Sequence, residues 1–286
     1  MKLSTKLKAL CAALAVGAAS AASASPIYLD VGTNFAPGAD KVNATSTSVK
    51  NEVLYTYQST TTVFDTNASG TIDAGDAIST NIGLFGTNIL ANNRATGFNP
   101  GETFGTNADN GYGDDWVISF SGVNLLGTVS SVLGGVPLLS YAPGGVINML
   151  LTFDGSTYNN FMDLVISGGA PTGLSTILLG VPDFSAVDAG FNNLFHAAGG
   201  VNCAGNTGFK DLTDCAPPIA ISFEASQDTN VLISQFTNNG DGTFSVSTNH
   251  DGSLTFSVPE PSMLLLMGGA LLGLGLSNRR RATRKA

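Results

Sequence analysis

Val53-Leu54-Tyr55-Thr56-Tyr57 places Val53, Tyr55 and Tyr57 on one side of an extended chain. Side chains of a strand point alternately to its two faces, and β-branched and aromatic residues pack best on that pleated surface. Residues 61–64, Thr-Thr-Val-Phe, continue in the same style. Further along, Trp116-Val117-Ile118-Ser119-Phe120 follows an acidic turn, residues 146–153 form an apolar run that stops at Asp154-Gly155, and residues 161–167 and 220–224 alternate. Residues 231–236 and 243–247 flank Asn238-Asn239-Gly240-Asp241-Gly242, which predicts a hairpin with a glycine-containing turn. A last strand is expected over residues 253–258.

Short strands at this spacing predict a mainly β fold, a β-sandwich or jelly-roll-like domain. Residues 125–139 read either as a short helix or as buried strands, because their Gly and Pro content fits both. Residues 31–50 and 91–115 are rich in Asn, Gly and Thr and read as loops. No period of 20–50 residues recurs, which excludes a solenoid.

The two ends carry a different grammar. Lys2, Lys6 and Lys8 precede an apolar run over residues 9–19, and Ala22-Ser23-Ala24 follows. A basic start, an apolar stretch too short to span a bilayer and a small-residue site define a secretory signal peptide, residues 1–24, with the cut after Ala24. At the other end Pro259-Glu260-Pro261 precedes a Leu- and Gly-rich stretch, residues 263–276, and a tail with Arg279, Arg280, Arg281, Arg284 and Lys285. At about 1.5 Å per residue that stretch reaches only ~21 Å, short of the ~30 Å hydrocarbon core, so it forms a weak and removable anchor. Its basic tail is expected to stay cytoplasmic.

Val258-Pro259-Glu260-Pro261-Ser262, the short hydrophobic helix and the Arg cluster, in that order, resemble the PEP-CTERM sorting domain of Gram-negative bacteria. The resemblance implies recognition by an exosortase, an integral-membrane cysteine protease, with processing near Pro259, Glu260 and Pro261. It also implies release toward the cell surface in bacteria that make exopolysaccharide, biofilm or flocs. It covers residues 257–286 and is silent on the rest. The expected organisation is a signal peptide over 1–24, a β-rich extracellular domain over 25–257 and the sorting signal over 258–286. Signal peptidase and the general secretion machinery act first, and the inner membrane is a transient partner through the C-terminal helix.

Composition agrees with export. All 21 Asp and Glu lie between Asp30 and Glu260, where only Lys41, Lys50, Arg94 and Lys210 are basic, a net of −17 for that stretch. Such a surface repels phosphates, so nucleic acid is excluded as a partner, and it attracts divalent cations. Cys11 leaves with the signal peptide. Cys203 and Cys215 remain, and in an oxidising compartment a disulfide between them is the expectation, since a metal site would have only His196 nearby to add.

One loop carries ligand chemistry. Residues 65–76 match a twelve-residue calcium loop, with Asp65, Asn67, Ser69, the Thr71 carbonyl, Asp73 and Asp76 at the six ligand positions. Gly70 takes the sharp turn, and Ile72 is expected to pack inward. The pattern is similar to EF-hand and dockerin-type loops. Ser69 stands where an acid is usual, Asp76 is shorter than Glu, and no flanking helices are predicted. The alternative is an Asx-rich turn between strands.

Enzyme signatures are lacking. His196 and His250 are the only histidines and show no metal spacing, and no G-x-S-x-G elbow occurs. Asp114 and Asp115 are adjacent, so a strand would point them apart, and Trp116 is expected in the core. The expectation is a non-catalytic surface or matrix protein that supports adhesion, biofilm or floc formation with exopolysaccharide, with calcium rigidifying its loop. A carbohydrate-binding module or a polysaccharide-active enzyme is the alternative.

Overall fold

The computed structural model describes residues 24–35, 41–83, 93–100, 102–103, 109–188, 190–228 and 231–259. The expected signal helix and C-terminal hydrophobic helix lie outside the described residues. Among the described residues no helix is long and apolar enough to cross a membrane.

The two alternating stretches at residues 53–57 and 61–64 are one strand, β2 (Glu52–Phe64), whose buried positions are Val53, Tyr55, Tyr57, Ser59, Thr61 and Val63. The polar residues between them gave no apolar signal, yet they continue inward because they find partners there. Ser59 Oγ lies 2.8 Å from Nε2 of His250, and Thr61 Oγ1 lies 2.9 Å from Thr80 Oγ1. Buried hydroxyls are tolerated when so paired.

Along one edge β2 receives β14 (Thr243–Ser257), antiparallel from Thr243 opposite Phe64 to Leu254 opposite Val53. Along the other it receives β3 (Ala77–Ile82) and β4 (Arg94–Asn99), with the short β5 (Glu102–Thr103) beyond β4. From β3 the path passes to β6 (Val117–Leu133), which is flanked by β7 (Val136–Tyr141) and β8 (Val146–Thr152). It continues through β9 (Asn159–Thr172), β10 (Ser175–Asp183) and β12 (Ser222–Asp228), and β12 pairs with β14. The antiparallel sheet therefore returns to its starting strand. The mainly β, antiparallel character is as expected, and a sheet wrapped in this way has the inward-facing layers that a sandwich needs.

Three local readings are corrected or decided. Residues 94–99 are not loop: Ala95 and Phe98 are buried where β4 pairs with β2, and Asn and Thr around them masked that strand. Residues 125–139 are strands rather than a helix, joined by Gly134 and Gly135 at φ +59° and +84°, the two left-handed residues that a tight hairpin requires. The last two predicted strands are a single β14, and the first arm predicted over residues 231–236 is not a strand: it holds a 3-10 turn over Ile233–Gln235, and only the two residues after it pair with β14, as β13 (Thr237–Asn238). Gly252 is what lets β14 run on between two neighbours. A Cβ there would stand 2.0 Å from Ser226 O and 2.7 Å from the Tyr55 ring.

A separate ribbon of β1 (Ile27–Leu29) and β11 (Phe195–Ala197) and the short α1 (Phe209–Thr213) cover one end of the wrapped sheet. Phe195 stacks on Phe161 at 5.5 Å, and Phe256 of β14 packs on Phe195 at 5.4 Å and on Phe209 at 5.1 Å. Each such ring contributes about 1.5–3 kcal/mol on burial. Cys203 and Cys215 are disulfide-bonded around α1, as expected. Closing a loop of that length restrains the unfolded chain by about 3 kcal/mol. Trp116 is in the core, 1% exposed, with its Nε1–H donating to Asn110 O at 2.8 Å, and Asp114 and Asp115 occupy the turn before it.

The other end of the interior is polar. Tyr57 donates to Gln227, Thr80 Oγ1 and Tyr141 Oη are 3.0 Å apart, and His250 Nδ1 donates to Asp228 O. Burial holds the His250 imidazole below its ordinary 6.5, with Asp228 and Asp251 opposing the shift. An imidazole that charges less readily folded than unfolded stabilises fully above the unfolded value and loses that stability as pH falls below it. We expect the melting midpoint to fall between about pH 7 and about pH 5, and to fall less in His250→Gln. A scan of midpoint against pH checks this, and equal slopes for both proteins would refute it.

Candidate functional site

Residues 65–76 form the connection from β2 to β3, a hairpin loop with no helix on either side. Asp65 accepts from the Ser69 N–H at 3.0 Å and the Gly70 N–H at 2.7 Å, and Asn67 Oδ1 accepts from the Ser69 N–H at 2.9 Å. The Ser69 hydroxyl donates to Asp73 Oδ2, and Thr71 O lies 3.2 Å from it. The Ser69 hydrogen bond holds the Asp73 carboxyl below its usual range. Gly70 has φ +78° and Ile72 is buried, as the loop pattern requires. Four of the other five ligand positions thus gather around Ser69.

Asp76, the sixth, turns the other way. It is 0% exposed, and its carboxylate accepts from the Thr66 N–H at 3.1 Å, the Thr66 hydroxyl at 3.2 Å and the Asp73 N–H at 2.8 Å. It clamps the two ends of the loop from inside. Among the described residues no group of three or more His, Cys, Asp and Glu is gathered so as to hold a metal ion.

A second concavity lies beside the β1–β11 ribbon. It has a volume of about 290 Å³ and is lined by Asp30, Leu151, Phe191, Asn193, Leu194 and His196, among others. Ribbon pairing sets its polar side: Tyr28 is opposite His196, and the next inter-strand bond runs from Asp30 N–H to Leu194 O at 2.9 Å. Tyr28 stacks on His196 at 4.7 Å, and Thr207 Oγ1 lies 3.0 Å from His196 Nδ1 and 2.9 Å from Tyr28 Oη. Partial burial opposes ionisation of Asp30, but hydrogen bonds from Gly32, Thr45 and Asn43 outweigh it and hold that carboxyl below its usual range. Burial lowers the His196 imidazole. An aromatic line leads out of the concavity, from Phe191 to Phe153 at 6.3 Å and on to Phe35 at 6.0 Å, with Phe153 39% exposed. Sequence reading missed this site, because its residues come from three distant segments, none of which carries a motif.

The sorting boundary is the third place. Pro259 is the last described residue, and Glu260, Pro261, Arg279, Arg280 and Arg281 lie outside the described residues. Val258 is 4% exposed and belongs to the core. The Ser25 N–H donates to Phe256 O at 2.7 Å, and Ser25 Oγ accepts from the Val258 N–H at 2.9 Å. The first residue after the predicted signal peptide thus holds the last residue before the Pro-Glu-Pro motif.

Comparison with known proteins agrees with that boundary. No curated protein and no solved structure matches the chain. Residues 257–281 match the family described as the PEP-CTERM protein-sorting motif. That match begins at the final residue of β14, so the chain passes from the folded domain into the address without a linker. The C-terminal segment is a PEP-CTERM protein-sorting motif, and the chain is one that bears this bacterial export address.

Proposed function

We propose that this is a non-catalytic surface or matrix protein of a Gram-negative bacterium, sorted by an exosortase through an inner-membrane intermediate and supporting exopolysaccharide-associated adhesion, biofilm or floc formation. The observation that carries the reading is the sorting motif attached directly to a folded, strongly anionic β domain. The anionic charge favours solubility outside the cell and attraction of cations that bridge to other anionic polymers. The non-catalytic part is supported by the placement of the titratable groups. His250 is in the interior, His196 is at the ribbon, and Asp114 and Asp115 share a turn.

Calcium is part of this reading. The exposed oxygens of Asp65, Asn67, Ser69, Thr71 and Asp73 are hard donors of the kind Ca²⁺ takes, while Asp76 serves the loop as an internal clamp. Ion binding there would replace hydrogen bonds now made to Ser69, which argues for weak affinity at extracellular calcium levels.

The concavity beside the ribbon favours a second reading, a carbohydrate-binding module. Aromatic faces pack against the C–H faces of sugars, and a carboxylate and an imidazole suit hydroxyl groups. Phe191, Asp30 and His196 line the concavity, and the Phe153 ring lies beside Phe191. The two readings combine if the module is how the matrix protein holds its polysaccharide. A polysaccharide-active enzyme remains the alternative class and would show turnover of the glycan that binds.

Three outcomes are expected. Replacing Pro259-Glu260-Pro261 by Ala-Ala-Ala leaves full-length precursor in the inner-membrane fraction, and normal appearance of surface protein would contradict the sorting reading. Calcium raises the melting midpoint and a chelator reverses this, whereas Asp76→Ala costs about 2–3 kcal/mol with or without the ion because it strands the Thr66 and Asp73 donors; a midpoint indifferent to calcium removes the ion from the reading. Phe153→Ala weakens retention on the host's purified exopolysaccharide about tenfold, as loss of a ring in contact with ligand does; unchanged retention argues against the concavity.

A further inference from the structure

The edge of β14 changes partners near its end. Its pairing with β2 stops at Leu254 opposite Val53, while β12 flanks its other edge as far as Ser257. Past Leu254 the place of β2 is taken by one residue from the far end of the chain. The Ser25 N–H donates to Phe256 O at 2.7 Å, and Ser25 Oγ accepts from the Val258 N–H at 2.9 Å and lies 3.1 Å from Val258 O. The segment that carries Ser25 is itself held. Pro26 O accepts from the Ala198 N–H at 2.9 Å, and Ile27 and Lys50 exchange both backbone hydrogen bonds at 2.7 Å. Pro259 has no N–H to donate, so the Val258 N–H is the last backbone donor before Glu260, and Ser25 occupies it.

We propose that Ser25 is a positioning residue for C-terminal processing, clamping Val258 into the fold so that the sorting signal leaves the domain at Pro259 and the processing protease cuts only on the C-terminal side of Val258. The proposal rests on the sorting reading above and on a signal-peptide cut after Ala24. A protease needs its substrate as an extended, unpaired segment, and backbone already hydrogen-bonded in the fold is withheld from it until that part opens.

The clamp also couples the two ends of the chain. Hydrolysis after Ala24 adds water across the Ala24–Ser25 bond: the oxygen joins the Ala24 carbonyl carbon to give a carboxylate, and the Ser25 nitrogen leaves as an amine that takes a proton near neutral pH. The hydrogen bond from that nitrogen to Phe256 O is then charge-assisted and stronger than the amide bond it replaces. Removal of the N-terminal signal thereby tightens the fold at the base of the C-terminal one.

The test compares the full-length chain and its variants in cells that release the mature protein. The N- and C-termini of the released protein are read by intact mass, and exchange of the Val258 amide is followed by hydrogen–deuterium exchange. The native chain is expected to begin at Ser25 and to show a single C-terminus at or beyond Val258. Ser25→Ala is expected to give additional C-termini upstream of Val258 and about tenfold faster Val258 exchange, with an unchanged melting midpoint. Ser25→Thr, which keeps the hydroxyl, restores both. A native C-terminus upstream of Val258, or a Ser25→Ala protein with native termini and native exchange, overturns the clamp. The Pro259-Glu260-Pro261 replacement serves as a separate arm: its normal release overturns the sorting reading itself, whereas native behaviour of Ser25→Ala alone overturns only the clamp.

Discussion

The pairing of β14 with β2 is the constraint on which everything else depends. Twelve consecutive residues of one strand face twelve of the other, Thr243–Leu254 against Val53–Phe64, across nearly the whole length of the domain. Without it the sheet would have two long open edges, which are templates for association with other chains. With it the path closes, and the inward faces of all the long strands enclose one interior. Contacts of such sequence separation carry a loop-closure cost that local pairings do not, so this closure must be repaid by the interior that it encloses.

β14 has more than one duty. It completes the ring with β2, pairs with β12 through its second half, contributes Phe256 to the ring stack under α1, and ends where the sorting motif begins. The sorting motif is thus attached to the strand that closes the sheet. A frayed end of β14 would lose the Phe256 stack and the Val258 contact together, since Phe256 is the second-last residue of the strand and Val258 follows it directly.

The interior is divided by chemistry. At one end Phe161, Phe195, Phe209 and Phe256 stack, while at the other Tyr57, Ser59, Thr61, Thr80, Tyr141, Gln227 and His250 are joined by hydrogen bonds. The polar end is where strand prediction faltered. Gln58, Ser59 and Thr60 interrupt the apolar alternation of β2, and Asn249, His250 and Asp251 interrupt that of β14. These two interruptions lie opposite each other, with Asn249 facing Gln58 and His250 facing Tyr57. Each looked like a break because its partner is almost two hundred residues away.

Local signals were enough for much else. Alternation in 53–57, the acidic turn before Trp116, the twin cysteines and the ordered basic–apolar–small and Pro-Glu-Pro–apolar–basic ends are each encoded within a few residues, so the chain alone determined its β character, its disulfide and its sorting motif. Tertiary structure decided which residues share a site. Asp76 matched a ligand position by spacing, yet the hairpin turned its carboxylate inward to Thr66 and Asp73. Asp30, Phe191 and His196 carried no pattern and came to line one concavity, and Ser25 came to rest on Val258. The physical reason is the same throughout: periodicity records which way a side chain points along its own strand, whereas register between strands, set by pairings of large sequence separation, decides what it meets there.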